Sequence, residues 1–254
     1  RDREVVTMLH YYRELSWKQH QNLQKENLYA MLCIGAIEQH GPHLAVGTDD
    51  MIIEYILRRL IGDEEIVPEV YVLPPLHFGL SPEHMNLCGT ITLTPETLMA
   101  VMGDILASLK QHGWEKLVIL NSHGGNKGFL HGMAQEWKRR YGLEIYVLET
   151  MHPIYYNKAQ TVMETATDME VHAGEDETSQ MLYEFPETVN MKALENGFDR
   201  KIPALPLRRD SWFTKEMNSS GIIGGAHLAT REKGEKLTAF MCQNVKTQLN
   251  SLED

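Results

Sequence analysis

The sequence predicts an α/β fold in which a mostly parallel sheet is covered on both faces by helices. Two observations carry this reading. Short apolar runs of strand character alternate with longer stretches whose apolar residues recur at helical spacing. The strand-like runs are apolar almost throughout, as expected of strands buried on both faces. No repeat, low-complexity tract or Gly/Ser linker interrupts the pattern, so residues 1–254 read as one domain.

The opening of the chain reads as helical, and Ser16 with Gln19 forms a capping box at the start of a second helix. Residues 28–37 (LYAMLCIGAI) form a short apolar run suited to a buried parallel strand. Residues 50–61 carry apolar positions at helical spacing, and residues 70–76 and 89–93 (GTITL) read as strands. Residues 95–113 read as a helix that Pro95 starts and Gly113 stops. A strand over 116–120, a helix over 127–142 and a strand over 144–149 follow. A helix follows His172, and Leu237, Met241, Val245 and Leu249 mark an amphipathic helix in the tail.

The chain has 24 Lys and Arg against 35 Asp and Glu, a net charge of −11. So acidic a chain is poorly suited to nucleic acid, and none is expected as a partner. No run of 18 apolar residues is long enough for a transmembrane helix, and no membrane partner is expected. No charged start followed by an apolar stretch reads as a signal peptide. Cys33, Cys88 and Cys242 are odd in number and scattered, which argues against a disulfide framework and fits a reducing cytoplasm.

Twelve histidines draw attention to three polar clusters. In parallel α/β sheets ligands gather beyond the carboxyl ends of the strands, where these clusters fall. In GAIEQHGPHLAVGTDD (35–50), Glu38 and His40 stand two residues apart and point to one side of an extended segment. Asp49 follows at the start of a helix, where Asp49 or Asp50 serves equally as an N-cap. His40 and His43 each also read as hydrogen-bonded loop histidines. In LVILNSHGGNKG (117–128), His123 ends an apolar strand, and two glycines let the backbone turn sharply. The plain reading there is a tight turn with Asn126 as helix cap; the spacing of a phosphate loop is absent. In EVHAGEDETSQMLYEF (170–185), His172, Glu175 and Glu177 fall within six residues. Acidic residues in a first helical turn also suit the helix dipole. Together the clusters supply mixed carboxylate and imidazole groups, which suit Zn²⁺ or Mn²⁺ better than Ca²⁺. None supplies a cysteine, so a structural zinc site is not expected.

EQHGPHLAVGTDD, NSHGGN and HAGEDETS closely resemble the three signature stretches of the creatininase (creatinine amidohydrolase) family. Weaker likenesses lie in residues 78–93, where Cys88 replaces a common proline, and in residues 221–237; the resemblance spans roughly residues 14–249. It implies a three-layer α/β/α fold, a homohexamer and two divalent metal ions, zinc or manganese, with iron a further option. By position, Glu38 and His123 would hold one metal, His40 the other, and Asp49 would bridge them. His172 would be the catalytic acid/base. Creatininase itself carries a metal-binding glutamate where this chain has Gly125, and Glu177 is expected to supply that carboxylate. The departure argues against creatinine itself as substrate.

The expected chemistry is hydrolysis of a small polar molecule at an amide C–N bond, often within a ring, by water activated between the metals. The alternative is opening of a cyclic ketone derived from an inositol-like polyol. A non-catalytic metal-binding or maturation protein, or a purely structural α/β domain, are the rivals outside enzymology. Ser81, His84, Glu175 and Trp212 are expected near substrate, and Glu83 beside them, with a hydrogen-bonded loop as the plain reading for 81–84. The irregular stretch 200–217, with Arg200, Lys201, Arg208 and Arg209, reads as a lid, a subunit contact or a solvated surface loop.

Overall fold

The computed structural model of the chain describes residues 8–166, 169–197 and 211–253. Strands β1 (Leu9–Tyr11), β2 (Tyr29–Ile34), β3 (Val70–Val72), β4 (Lys116–Asn121) and β5 (Glu144–Glu149) pair in the order β1-β3-β2-β4-β5. Every pairing is parallel. Among the described residues the helices are α1 (Trp17–Asn22), α2 (Thr48–Leu60), α3 (Pro95–Gln111), α4 (Gly124–Tyr141), α5 (Pro153–Ala159), α6 (Glu175–Glu184), α7 (Met191–Gly197), α8 (Thr214–Met217) and α9 (Arg231–Asn250).

Side-chain alternation splits the apolar residues of β2 and β4 between two cores. Met31, Cys33, Val118 and Leu120 pack with Ile52 and Ile56 of α2, Met181 of α6 and Leu237 and Met241 of α9. Ala30, Leu32, Leu117 and Ile119 pack on the opposite face with Leu98 and Met102 of α3 and Leu130 and Trp137 of α4. The result is the three-layer α/β/α sandwich expected. Close approach of α9 to α6 depends on Gly234, where a Cβ would fall 1.9 Å from the Ser179 carbonyl oxygen.

Adjacent strands β2 and β4 feed helices on opposite faces: β2 leads to α2, β4 to α4. Their carboxyl ends therefore flank a crevice, the place where such sheets bind ligands. The capping box at Ser16 is present, with both Ser16 and Gln19 side chains engaged. Pro95 opens α3 as expected.

Several expectations need correction. The described opening is a strand, not a helix, because Leu9–Tyr11 gains parallel pairing with Val70–Val72 at the sheet edge. GTITL forms no strand of the sheet; Ile91 makes one isolated bridge to Ile37. The flanking threonines serve turns instead, Thr90 accepting from the Gln39 N–H and Thr92 from the Ser81 N–H. Strand β3 stops at Val72, before Pro74 and Pro75, which have no N–H to donate. Helix α4 begins at Gly124, three residues before its expected start at 127.

Candidate metal centre

The β2–α2 connection, the end of β4 and the start of α6 converge in the crevice. Glu38, His40, Asp49, His123, His172 and Glu177 are all buried there. Glu38, Asp49, His123, His172 and Glu177 line a cavity of about 350 Å³. Asp49 stands in the first turn of α2 but caps nothing; Gly47 occupies the N-cap position. The carboxylate of neighbouring Asp50 binds His77 at 2.7 Å. His123 takes the position before α4, with its backbone held by Asn121. Asn126 is not the cap. Its amide joins the Leu80 N–H, the Gly35 carbonyl and the Asn121 side chain, tying three segments below the site.

His172 is fixed by a two-way backbone bridge to Ile223, in the glycine-rich stretch 221–225. The next residue, Ala173, has φ of 53°, a conformation rare outside glycine. Its N–H donates to Glu177 Oε2 at 2.6 Å, which holds that carboxylate toward the cavity.

The distances sort the groups into two sets that share Asp49. His123 Nδ1 is 3.0 Å from Asp49 Oδ2, and His123 Nε2 is 3.3 Å from Glu38 Oε2. His40 Nε2 is 3.7 Å from both Asp49 Oδ1 and Glu177 Oε1. Ligand atoms of Glu38, Asp49 and His123 lie within 4.8 Å of one another, as do those of His40, Asp49 and Glu177. The 3.7 Å gaps exceed a hydrogen bond. They are close to the ~3.4 Å that separates neighbouring donors around an ion with ligands at ~2.1 Å. Glu38, His40 and His172 make a third such group.

The histidine tautomers follow from their partners. His40 Nδ1–H donates to the Glu38 carbonyl, which turns Nε2 toward Asp49 and Glu177. His123 Nε2 is 2.8 Å from the Leu80 carbonyl and 3.3 Å from Ser81 Oγ. His172 Nε2–H donates to the Gln39 carbonyl at 2.6 Å, leaving Nδ1 to face the cavity, 3.5 Å from Glu38 Oε1.

Burial dominates the electrostatics. It pushes the Glu38 carboxyl up to about 8, against the pull of His123 and His40. Burial opposes charge on His40 and His123, but the carboxylates outweigh it. Glu177 and Asp49 raise His40, and Glu38 and Asp49 raise His123 to about 10. Asp49 is lowered despite burial, by the neighbouring imidazoles of His123 and His40. His172 is lowered by burial and by the neighbouring imidazoles, and so stays neutral. The same causes lower His84 to about 3.

These residues fit a pair of divalent cations. Glu38 Oε2, His40 Nε2 and Asp49 Oδ2 are buried without a hydrogen bond of good geometry, although each of these residues belongs to one of the clustered sets. Buried polar atoms are seldom left so. Gly125 excludes the alternative carboxylate position, since a Cβ there would meet the Leu80 carbonyl at 2.3 Å and His123 Nε2 at 2.4 Å. The chain thus brings Glu177, from α6, to the second set.

Of the residues expected near substrate, His84 and Trp212 line the cavity and Ser81 lies behind the ring of His123. His84 Nε2 is 3.4 Å from Glu38 Oε1. Glu175 does not face the cavity. Its carboxylate turns away to accept from the Glu164 and Thr165 N–H groups and from Lys233 Nζ at 2.5 Å. A contact with bound substrate is therefore not expected of it. His43 sits aside, bonded to Thr178 Oγ1 at 2.8 Å. Arg200, Lys201, Arg208 and Arg209 lie outside the described residues.

Gln39 and Thr214 escaped the sequence reading. The Gln39 amide nitrogen lies 2.9 Å from His84 Nδ1, and its backbone carbonyl receives the His172 proton. Thr214 Oγ1 is 2.7 Å from the same His84 nitrogen. In an extended strand Gln39 would point away from Glu38 and His40, yet its amide nitrogen lies near both His84 Nδ1 and His172 Nε2. Its place between two candidate ligands was the one available signal. Thr214 lies 130 residues from its partner, and no local pattern marks it.

The sequence matches the creatininase family (creatinine amidohydrolase) over residues 13–249. Creatinine amidohydrolase of Pseudomonas putida is 26% identical over 248 residues, covering 91% of this chain and 93% of that protein. A mycofactocin precursor peptide peptidase of Mycolicibacterium smegmatis is 28% identical over 215 residues, 82% of this chain and 78% of the relative. A 3-dehydro-scyllo-inosose hydrolase of Thermotoga maritima is 22% identical over 251 residues, 89% of this chain and 78% of the relative. A solved mutant creatininase of Zn–Zn type superposes with a TM-score of 0.77 at 25% identity, covering 97% of this chain and 98% of the other. A manganese creatininase superposes with a TM-score of 0.74 at 25% identity, over 95% and 98% of the two chains.

Proposed function

The chain belongs to the creatininase family of metal-dependent hydrolases, and we propose that it cleaves the C–N bond of a small polar amide, ring amides included. The observation that carries this reading is the clustering of the unpartnered Glu38 Oε2, His40 Nε2 and Asp49 Oδ2 with His123 and Glu177, in two sets that share Asp49, beside the cavity that Glu38, Asp49, His123 and Glu177 line. Glu38, Asp49 and His123 would hold one divalent cation, and His40, Asp49 and Glu177 the second, with zinc or manganese suited to this donor set. When bound, such a pair supplies Lewis acidity and lowers the pKa of water toward neutrality.

The chain's own residues then handle the proton. Neutral His172, its Nε2–H engaged by the Gln39 carbonyl, offers Nδ1 to a water in the cavity. As water oxygen bonds to the amide carbon, Nδ1 takes the proton; as the C–N bond breaks, the leaving nitrogen collects it. Water and amide become acid and amine, and the imidazole is restored. His84, held neutral by burial and oriented by Gln39 and Thr214, steadies Glu38. A cytoplasmic homohexamer completes the reading, supported by the family resemblance and by three cysteines outside any disulfide.

The relative from Thermotoga maritima favours a second reading, hydrolytic opening of an inositol-derived cyclic ketone. Screening cyclic amides, formamides and such ketones with Mn²⁺ or Zn²⁺ separates the two. Turnover of an amide that depends on metal is expected, with His172→Ala keeping its metal and losing about 10²–10⁴-fold in kcat. Loss of both metals in that variant would reassign His172 as a ligand. Metal binding without turnover on any set would favour a binding or maturation role.

A further inference from the structure

The catalytic cavity does not end at the metal centre. Glu83, Gly125 and Trp212 line it and also line a groove of about 900 Å³, so the two spaces lie side by side with these three residues between them. The cavity floor is carboxylate and imidazole. The groove is walled instead by Leu80, Pro82, Leu93, Trp212 and Phe213. Phe213 is 46% exposed and Trp212 half-buried, so aromatic surface stands open to a ligand. Among the described lining residues the charged ones are Glu83 and Glu216, both acidic. At the junction Gly125 projects no side chain, and a Cβ there would already stand 2.9 Å from Glu83 Oε1.

We infer that the groove is a specificity subsite for an apolar, uncharged or cationic arm attached to the scissile amide. The inference rests on the amide reading above. The amide carbonyl sits over the metal centre, and its arm passes Gly125 to lie against Trp212 and Phe213. A small polar amide alone fills the cavity and leaves the groove to water. Burying an aromatic arm gains the apolar area it removes from water, and the carboxylates discourage an anionic one. The reaction itself is unchanged: water adds to the carbonyl carbon, the C–N bond breaks, and acid and amine leave.

The test compares matched amides on the Mn²⁺-loaded enzyme. N-acetylglycinamide is set beside counterparts carrying a phenethyl arm on the nitrogen or on the acyl carbon. At least one armed amide is expected to show a tenfold or greater advantage in kcat/KM. Phe213→Ala should cut that ratio several-fold, and Leu93→Trp, which fills the groove, should bring it to about one. Two variants guard against misfolding of either, with metal content as the folding check. Equal kcat/KM for armed and unarmed amides, or a ratio indifferent to both variants, overturns the inference. If no amide is turned over, the amide reading fails, and the groove is read by binding. A dissociation constant at least tenfold lower for an armed amide, equalised by Leu93→Trp, retains the subsite; equal constants remove it. A neighbouring copy of the chain seated in the groove in crystals of the loaded enzyme also overturns the proposal.

Discussion

Helix α6 buries polar groups on two sides, and they meet different fates. On the side toward α5, Asp176 accepts from Tyr155 OH at 2.5 Å and from the Gln180 amide at 2.6 Å. Gln180 in turn accepts from Tyr55, so the set closes on itself. On the side toward β2, Glu177 faces His40 across 3.7 Å, and its neighbours in the cavity include three atoms without any partner. Both sides are buried and acidic. A satisfied network holds the fold together, whereas convergent unsatisfied donors and acceptors mark a place for a ligand. The same helix shows the contrast at single-residue scale. Glu175 is spent on Lys233 and two backbone N–H groups, and two positions later Glu177 turns into the cavity.

Substitutions can break this contrast, and the largest effect belongs to Asp49. Asp49→Ala removes the carboxylate common to both ligand sets, so metal content should fall to background and hydrolysis with it. Elemental analysis alongside activity checks this; a variant that retains two ions would show that Asp49 is not shared. Next is Gln39→Leu, which frees His84 Nδ1 from its amide donor while the backbone carbonyl still holds His172. Loosening groups that orient a site in this way costs about 10–100-fold in metal affinity or activity. Nitrogen chemical shifts of the His84 ring should report the altered tautomer, a readout that simple destabilisation would not move.

On the satisfied side, Tyr155→Phe deletes a donor to buried Asp176 and should lower stability by about 1–3 kcal/mol. Its metal content should stay at the wild-type value. Denaturant unfolding and elemental analysis together test the separation, and a loss of metal would tie the two networks. The smallest effect is in pH. Glu38 and His123 are both raised in the metal-free chain, to about 8 and about 10, so both carry protons at neutral pH. Cations must displace those protons, so affinity rises with pH and loading releases protons. Calorimetry in two buffers of different ionisation enthalpy measures the release; identical heats would contradict it.

Much of the sheet was legible because its strands are apolar runs and its long helices carry caps and periodic apolar faces. Ser16, Pro95 and the β4 run each announced themselves locally. The edge was not legible. Leu9–Tyr11 becomes a strand only through pairing with Val70–Val72, sixty residues on, and Thr90 and Thr92 turned from ladder to cap by contacts with Gln39 and Ser81. At the site, the spacing of Glu38 and His40 and the strand end at His123 could be read directly. The place of Glu177 was expected only from resemblance, and Glu175, two residues before it, satisfies the same local pattern while pointing elsewhere. Helix periodicity fixes a face only once the partners of that helix are known. Thr214 illustrates the limit, since nothing near it in sequence indicates that it reaches His84.

The proposed function turns on two cations sharing Asp49. Anomalous diffraction from crystals of the Mn²⁺-loaded protein tests it most directly. Two peaks are expected, one among Glu38, Asp49 and His123 and one among His40, Asp49 and Glu177. Peaks elsewhere, or a fully loaded protein with none in this cavity, would contradict it.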